Sequence, residues 1–212
     1  VSGPMDAPPA SLPKRVAFLE TEGWERAVPD AREALIEARR KFEDAGIEVI
    51  DRTSHSGIAA VEVAITGGVE LSGGLNNWDF RWPLNTYARD MDRTKLSEPA
   101  RDRLEAAEAM MLEDYQGLVQ KRQRIRDIYN GLKKDADVCV TLSAPGPAPE
   151  GLDWTGDAVF AVPSSILGTP SISLPVLEAE GLPLGLQVMG YANGDAAAMA
   201  AARAVLALYE GG

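Results

Sequence analysis

The stretch over residues 155–190, TGDAVFAVPSSILGTPSISLPVLEAEGLPLGLQVMG, decides the fold that this sequence predicts. Glycines and prolines divide it into short apolar segments. The tripeptide Gly168-Thr169-Pro170 ends a predicted helix and begins a strand. Residues 170–176 and 182–190 read as two strands, and a turn around residues 179–181 joins them.

Two adjacent serines in this stretch, Ser164 and Ser165, raise the question of a nucleophile and its helper. A serine hydroxyl needs a base within hydrogen-bond distance, and it usually lies on a glycine-rich turn. These serines instead follow Val162 and Pro163, with no glycine before them. We therefore favour an apolar helical segment and assign no catalytic residue to this chain.

The rest of the chain alternates predicted strands and helices. A helix over residues 28–46, with Asp30 as N-cap and Gly46 as its stop, separates two short strands, and such a unit favours parallel pairing. Residues 72–90 are rich in turn formers, and we predict that they are irregular. The remaining predictions are strands over residues 16–19, 47–52 and 136–142, a helix over residues 56–68, a helix over residues 97–132 with a bend near Glu113, and a terminal helix over residues 195–209.

Composition excludes several classes of function. The formal net charge of −11 gives a surface that repels phosphate, so nucleic acid is not an expected partner. Cys139 and His55 are the single cysteine and histidine, which argues against a metal site, and no motif for a cofactor occurs. No apolar run is long enough to span a membrane, and the lone cysteine fits a cytoplasmic location.

Asp157 is the acidic residue that we choose as the candidate for substrate binding. It follows Thr155 and Gly156 in a loop that leads into an apolar segment. A carboxylate at the mouth of such a segment can receive a polar group of a substrate. The alternative is that Asp157 only caps the helix that follows it.

The same stretch closely resembles the C-terminal region of the amidase signature family, and the resemblance extends over residues 14–210, except for a poor match over residues 53–96. It implies an α/β fold, the C-terminal part of the amidase signature fold, with a mixed β-sheet flanked by α-helices. Within it, Gly185 indicates a close backbone approach or a bulge in a strand. The residues that fit are Gly168, Pro170, Ser173, Pro175, Gly181, Leu182, Pro183, Gly185, Leu186, Gln187 and Gly190.

The resemblance also implies an activity, the hydrolysis of amides through a Ser–Ser–Lys triad. In the family this triad lies in an upstream half with a motif similar to GGSSGGS, and no such motif occurs in this sequence. We therefore expect an extended lead over residues 1–13 and the C-terminal portion of an amidase domain over residues 14–212. This portion is expected to complete the sheet and form one wall of the substrate cleft, with Asp157, Gly156 and Thr155 in that wall. The chain alone is expected to be inactive.

Two alternatives stay open. One is the A subunit of a tRNA-dependent amidotransferase, but in such proteins the resemblance implies an arginine where this chain has Asp102. The other is a non-catalytic binding or assembly module with the same fold. The expected partners are a small amide and the upstream catalytic half, and an exposed sheet edge predicts self-association of the chain.

Overall fold

A computed structural model describes residues 8–210 of the chain. The first seven residues of the predicted lead lie outside this range, and Ser11 in its remainder donates a backbone hydrogen bond to Ala200 O, at 3.1 Å. Two compact units are present, one made of the residues up to Thr66 and from Ile125 onward, the other of Gly67–Arg124.

The first unit is built on a five-stranded mixed sheet with the strand order β2-β1-β3-β5-β4. Strand β1 pairs in parallel with both β2 and β3, whereas β5 is antiparallel to β3 and β4. The predicted mixed α/β sheet is therefore confirmed. The strands are β1 (Arg15–Phe18), β2 (Glu48–Ile50), β3 (Val138–Leu142), β4 (Ser171–Ala179) and β5 (Leu182–Met189).

Seven α-helices and four 3₁₀ helices accompany the sheet within residues 8–210. The α-helices are α1 (Pro29–Asp44), α2 (Ser56–Ile65), α3 (Gly68–Asp90), α4 (Glu98–Ala109), α5 (Leu112–Asn130), α6 (Val162–Leu167) and α7 (Asp195–Glu210). The 3₁₀ helices are Glu22–Arg26, Arg93–Lys95, Gly131–Lys134 and Ala158–Phe160. No single helix among them is long and apolar enough to cross a membrane, although α2 and α3 taken together satisfy that criterion by length and composition.

The two faces of the sheet differ in chemistry. Alternate side chains of a strand point to opposite faces, and on one face these are almost all aliphatic. They pack against α1 and α7, and burying one such side chain contributes about 1.5–3 kcal/mol. This core includes Val16, Phe18, Val138, Val140, Leu142, Leu184, Leu186 and Val188 from the strands, Ala31, Leu35, Ala38 and Phe42 from α1, and Ala201, Ala202 and Val205 from α7.

Local signals explain most of the boundaries in this unit. Glu180 and Gly181 have φ of 54° and 76°, the left-handed pair that a tight β4–β5 hairpin requires. Gly46, with φ of 77°, follows α1 as predicted. The predicted cap Asp30 is wrong, because α1 begins at Pro29 with Val28 as N-cap. The Asp30 carboxylate instead accepts the backbone N–H of Glu180, at 3.1 Å.

The second unit contains the largest error of the sequence prediction, since residues 72–90 lie in the continuous helix α3. Contacts distant in sequence stabilise this helix against its turn-forming residues. Trp78 stacks on Tyr115 with ring centroids 4.9 Å apart. A Cβ added at Gly74 would lie 2.7 Å from Leu118 Cδ1, so this glycine permits the close approach of that side chain. The predicted bend near Glu113 is confirmed as the break between α4 and α5.

Candidate functional site

A cleft of about 910 Å³ lies at the carboxyl ends of the parallel strands β1 and β3. Its lining comes from the chain that follows each of these strands and from the start of β5. Within the sheet, β2 pairs along one edge of β1 and β3 along the other edge, so the strand order reverses at β1. In open α/β sheets such a point, where the strand order reverses, is where ligands bind.

All three residues predicted for the cleft wall line this cleft: Thr155, Gly156 and Asp157. Gly156 has φ of 99°, a conformation that favours glycine. The structure therefore brings the predicted residues together, and their contact with a substrate stays a prediction.

Both oxygens of the Asp157 carboxylate have protein partners. Oδ1 accepts the backbone N–H of Val159 at 2.9 Å, so Asp157 caps the 3₁₀ helix that follows it. Oδ2 accepts from Arg26 Nη1 at 3.0 Å. The carboxylate is 24% exposed and the arginine side chain 52% exposed, so the ion pair lies at the surface of the cleft. Capping, the alternative role of Asp157, is confirmed as a feature of the fold.

The sequence analysis missed Arg26. It lies at the end of the 3₁₀ helix that follows β1, and 131 residues separate it from Asp157. No local pattern marks such a pair, because only the parallel pairing of β1 with β3 brings the two segments together.

A pair of serines was also missed at the floor of the cleft, which Ser143 and Gly185 line. Ser143 Oγ and Ser173 Oγ lie 2.7 Å apart in a hydrogen bond. A Cβ added at Gly185 would lie 2.2 Å from Ser173 Oγ and 2.6 Å from Ser143 Oγ. Gly185 therefore allows the close approach that its place in the strand predicted.

Near this floor, the sheet face opposite the core carries polar side chains. Thr141 and Gln187 are buried cross-strand partners on β3 and β5. Gln187 Nε2 donates to Phe160 O at 3.0 Å, and its Oε1 accepts from Ser171 Oγ at 2.9 Å. These bonds tie the chain that leads into α6 to the sheet, and so position one side of the cleft.

The adjacent serines of α6 are structural. Ser164 Oγ donates to Ala161 O at 2.9 Å, and Ser165 Oγ lies 3.5 Å from the same oxygen. Both hydroxyls thus bond the preceding turn of their own helix. The prediction of a helical segment is confirmed, and Gly168 ends it with φ of 65°.

The other candidate nucleophiles and bases lie elsewhere. Cys139 is fully buried in β3, and burial raises the pKa of its thiol to about 11, which keeps it protonated and unreactive. His55 Nε2 lies 3.6 Å from Asp135 Oδ2. No lysine or histidine occurs among the described residues that line the cleft. Within residues 8–210 the cleft lining therefore offers hydroxyls, one ion pair and the exposed carboxylates of Glu150 and Glu180, and it offers no lysine or histidine base.

A search for relatives places this architecture within a known group of α/β proteins. Residues 5–199 match the family model described as Amidase. The chain therefore belongs to the amidase family.

Individual relatives agree with this assignment. The A subunit of the glutamyl-tRNA(Gln) amidotransferase of Rubrobacter xylanophilus is 30% identical over 88% of this chain and 43% of its own length. A fatty acid amide hydrolase of Medicago truncatula is 35% identical over 58% of this chain and 22% of its own length. This chain thus spans less than half of these relatives.

Solved structures show the same fold. A crystal structure of an amidase superposes with a TM-score of 0.77 at 21% identity, covering 93% of this chain and 46% of that one. A fatty acid amide hydrolase gives a TM-score of 0.71 at 21% identity, covering 98% of this chain and 42% of that one. The expected relation to the amidase fold is confirmed.

Proposed function

We propose that this chain forms the C-terminal portion of an amide hydrolase that releases a carboxylate and ammonia or an amine. The observation that carries the proposal is the cleft at the carboxyl ends of β1 and β3, in a chain of the amidase family. In this role residues 155–157 form one wall of the substrate cleft. Ser143, which is hydrogen-bonded to Ser173, and Gly185 form part of its floor.

Amide cleavage needs catalytic groups that the described lining of this cleft does not combine. Attack on an amide carbon needs a nucleophile with a base within hydrogen-bond distance and donors for the developing oxyanion. The serines of α6 bond their own helix, Ser143 in the cleft lining bonds Ser173 rather than a base, and the described lining contains no lysine or histidine. We infer that the nucleophile and its base belong to the part of the amidase that this chain does not span, and that the chain alone does not hydrolyse amides.

Ammonia release from primary carboxamides tests this proposal. The assay compares the pure 212-residue chain with the polypeptide that its complete gene encodes. We expect release by the complete gene product and none above the blank by the chain alone. Turnover by the pure chain, or the absence of turnover from a complete gene product that contains a Ser–Ser–Lys region, would falsify the proposal.

Variants of the cleft wall locate the site in the same assay. Asp157→Ala removes the helix cap and the partner of Arg26, and we expect it to raise KM for the amide. Asp153→Ala is the matched control, since it removes an exposed carboxylate from the same loop outside the cleft lining. Equal effects of the two variants on KM would contradict the place of Asp157 in the wall.

A second candidate function is that of the A subunit of a tRNA-dependent amidotransferase. It is supported by the relative from Rubrobacter xylanophilus, which bears that name and matches 88% of this chain. Against it stands Asp102, at a position where the resemblance implies an arginine. Its neighbour Arg101 donates to Leu96 O, at 2.6 Å. Transfer of ammonia from glutamine to a charged tRNA, rather than release into solution, distinguishes this function.

A third candidate is a non-catalytic binding or assembly module. A complete gene product without a Ser–Ser–Lys region, and with no amide hydrolysis, would favour it.

We propose in addition that the protein works in the reducing cytoplasm, which is supported by the free, buried thiol of Cys139. Cell fractionation with an antibody tests the location.

A further inference from the structure

The Asp157 carboxylate is the least exposed charged group identified in the cleft wall, and each of its two oxygens already accepts a hydrogen bond. One accepts a backbone N–H, and the other accepts from the guanidinium of Arg26. An ammonium group of a substrate would therefore have to displace Arg26 or approach a carboxylate whose charge is already balanced. Each oxygen can still accept a second hydrogen bond, but the negative charge that would attract an ammonium group is already balanced by Arg26.

The other charges of the cleft do not replace Asp157. Arg26 is the one basic side chain in the described lining, and Glu150 and Glu180 are the other acidic ones. Both glutamates are exposed, where solvent and salt screen their fields. Asp157 is only 24% exposed, so its field acts more strongly within the cleft, and the contact with Arg26 cancels it.

Apolar groups surround the ion pair. The lining includes the rings of Pro145, Pro147 and Pro149, together with Trp154 and Leu182. Trp154 and Leu182 are 62% and 48% exposed, which leaves their surfaces available to a ligand. An apolar group of a ligand that covers these surfaces lowers the free energy of binding, whereas a charged group gains little from them.

We propose that Arg26 is a specificity-determining residue, which neutralises Asp157 so that this wall receives an uncharged, apolar group of the amide substrate. The proposal rests on the proposed hydrolysis of amides, and it names the class of substrate for that site. Arg26 takes no part in the chemistry. It sets the charge of the wall, and its loss converts the cleft to one that accepts an ammonium group.

A pair of isosteric amides tests this with the complete gene product. Hexanamide ends in a methyl group, and 5-aminopentanamide carries an ammonium group at the same position. The measurement is kcat/KM for each amide, and the quantity of interest is the ratio of the cationic to the neutral substrate. For the wild-type protein we expect a preference for hexanamide.

Four variants separate charge from structure. Arg26→Gln frees the Asp157 charge, and we expect the ratio to rise about tenfold, which corresponds to about 1.4 kcal/mol. Arg26→Lys keeps the charge and should leave the ratio within about threefold of the wild type. Asp157→Asn retains a capping side chain but leaves Arg26 without the carboxylate, and it should lower the ratio. Arg40→Gln removes the same charge from an exposed site outside the cleft lining, and should leave the ratio unchanged.

The outcomes are distinct. If Arg26→Gln lowers kcat/KM for both amides equally, Arg26 only supports the wall, and the specificity inference is wrong. If Arg26→Gln does not fold, Asp157→Asn decides with the opposite sign, and an unchanged ratio overturns the inference. Hydrolysis of neither amide by the wild-type protein overturns the proposed function, and the specificity inference falls with it.

Discussion

Replacement of Gly185 by alanine is the sharpest test of the cleft floor. The new Cβ would lie 2.2 Å from Ser173 Oγ and 2.6 Å from Ser143 Oγ, and 2.8 Å from Ser143 Cβ. The Ser173 hydroxyl can rotate away, at the loss of its bond to Ser143. Ser143 Cβ cannot, because the backbone N–H of Ser143 donates to Gly185 O at 2.9 Å and holds the two strands together.

The magnitude follows from these two costs. Loss of the Ser143–Ser173 hydrogen bond costs about 1 kcal/mol. Forcing a methyl group against Ser143 Cβ in a packed sheet costs about 1–3 kcal/mol. We expect Gly185→Ala to lower the free energy of unfolding by about 2–4 kcal/mol, and the melting temperature by about 5–15 °C for a chain of this size.

The assay is urea unfolding of the 212-residue chain, followed by circular dichroism. Gly117→Ala is the matched control, since its Cβ would meet nothing within 4 Å on the exposed face of α5. There the substitution should stabilise the helix by up to about 1 kcal/mol. Adding Ser143→Gly to Gly185→Ala removes the obstructing atoms of Ser143, while the Ser173 hydroxyl rotates away, and should restore at least half of the loss. A Gly185→Ala protein within about 0.5 kcal/mol of the wild type, an ordinary value for surface changes, would refute this description of the floor.

Three further predictions concern charge and assembly. Burial opposes ionisation of Asp51, but bonds from Thr53 and Arg39 outweigh it and lower its pKa, so Asp51→Ala should cost about 2–3 kcal/mol at neutral pH. This stability is present above the unfolded pKa and is lost as the pH falls through the lowered one, so the difference measured by urea unfolding should shrink in acid, and a pH-independent difference would contradict it. Burial raises the pKa of Glu62, so ionisation of its carboxyl group lowers the stability of the fold as the pH rises above about 4.3. The stability of Glu62→Gln relative to the wild type should therefore increase between about pH 4 and about pH 7. A decrease would show that the contact of Glu62 with Arg52 dominates. Strands β2 and β4 end the described sheet, so we expect the isolated chain to self-associate, and a monomer by light scattering at high concentration would contradict this.

The stretch over residues 155–190 could be predicted from sequence because its signals are local. Gly168 ends a helix and Gly181 permits the hairpin turn, and both lie next to the elements that they delimit. A local signal of this kind does not depend on the rest of the chain.

Helix α3 could not be predicted in the same way. Its glycines and Pro83 are typical of turns, and the helix depends on the packing of Gly74 and Trp78 against α5. Tertiary contacts of this kind override local propensity. The Arg26–Asp157 pair could not be predicted for a related reason, because two residues 131 positions apart leave no pattern in a single sequence.

The order of the strands also has a consequence for how the molecule folds. Strands β4 and β5 form a hairpin with a two-residue turn, whereas Arg15 and Asp137, at the β1–β3 pairing, are 122 residues apart. Closing a loop of that length lowers the entropy of the chain before the contacts between β1 and β3 can stabilise it, so this pairing is expected to form late. The cleft exists only once β1 and β3 are paired. An early folding intermediate can therefore contain the complete hairpin and still lack any place for a substrate.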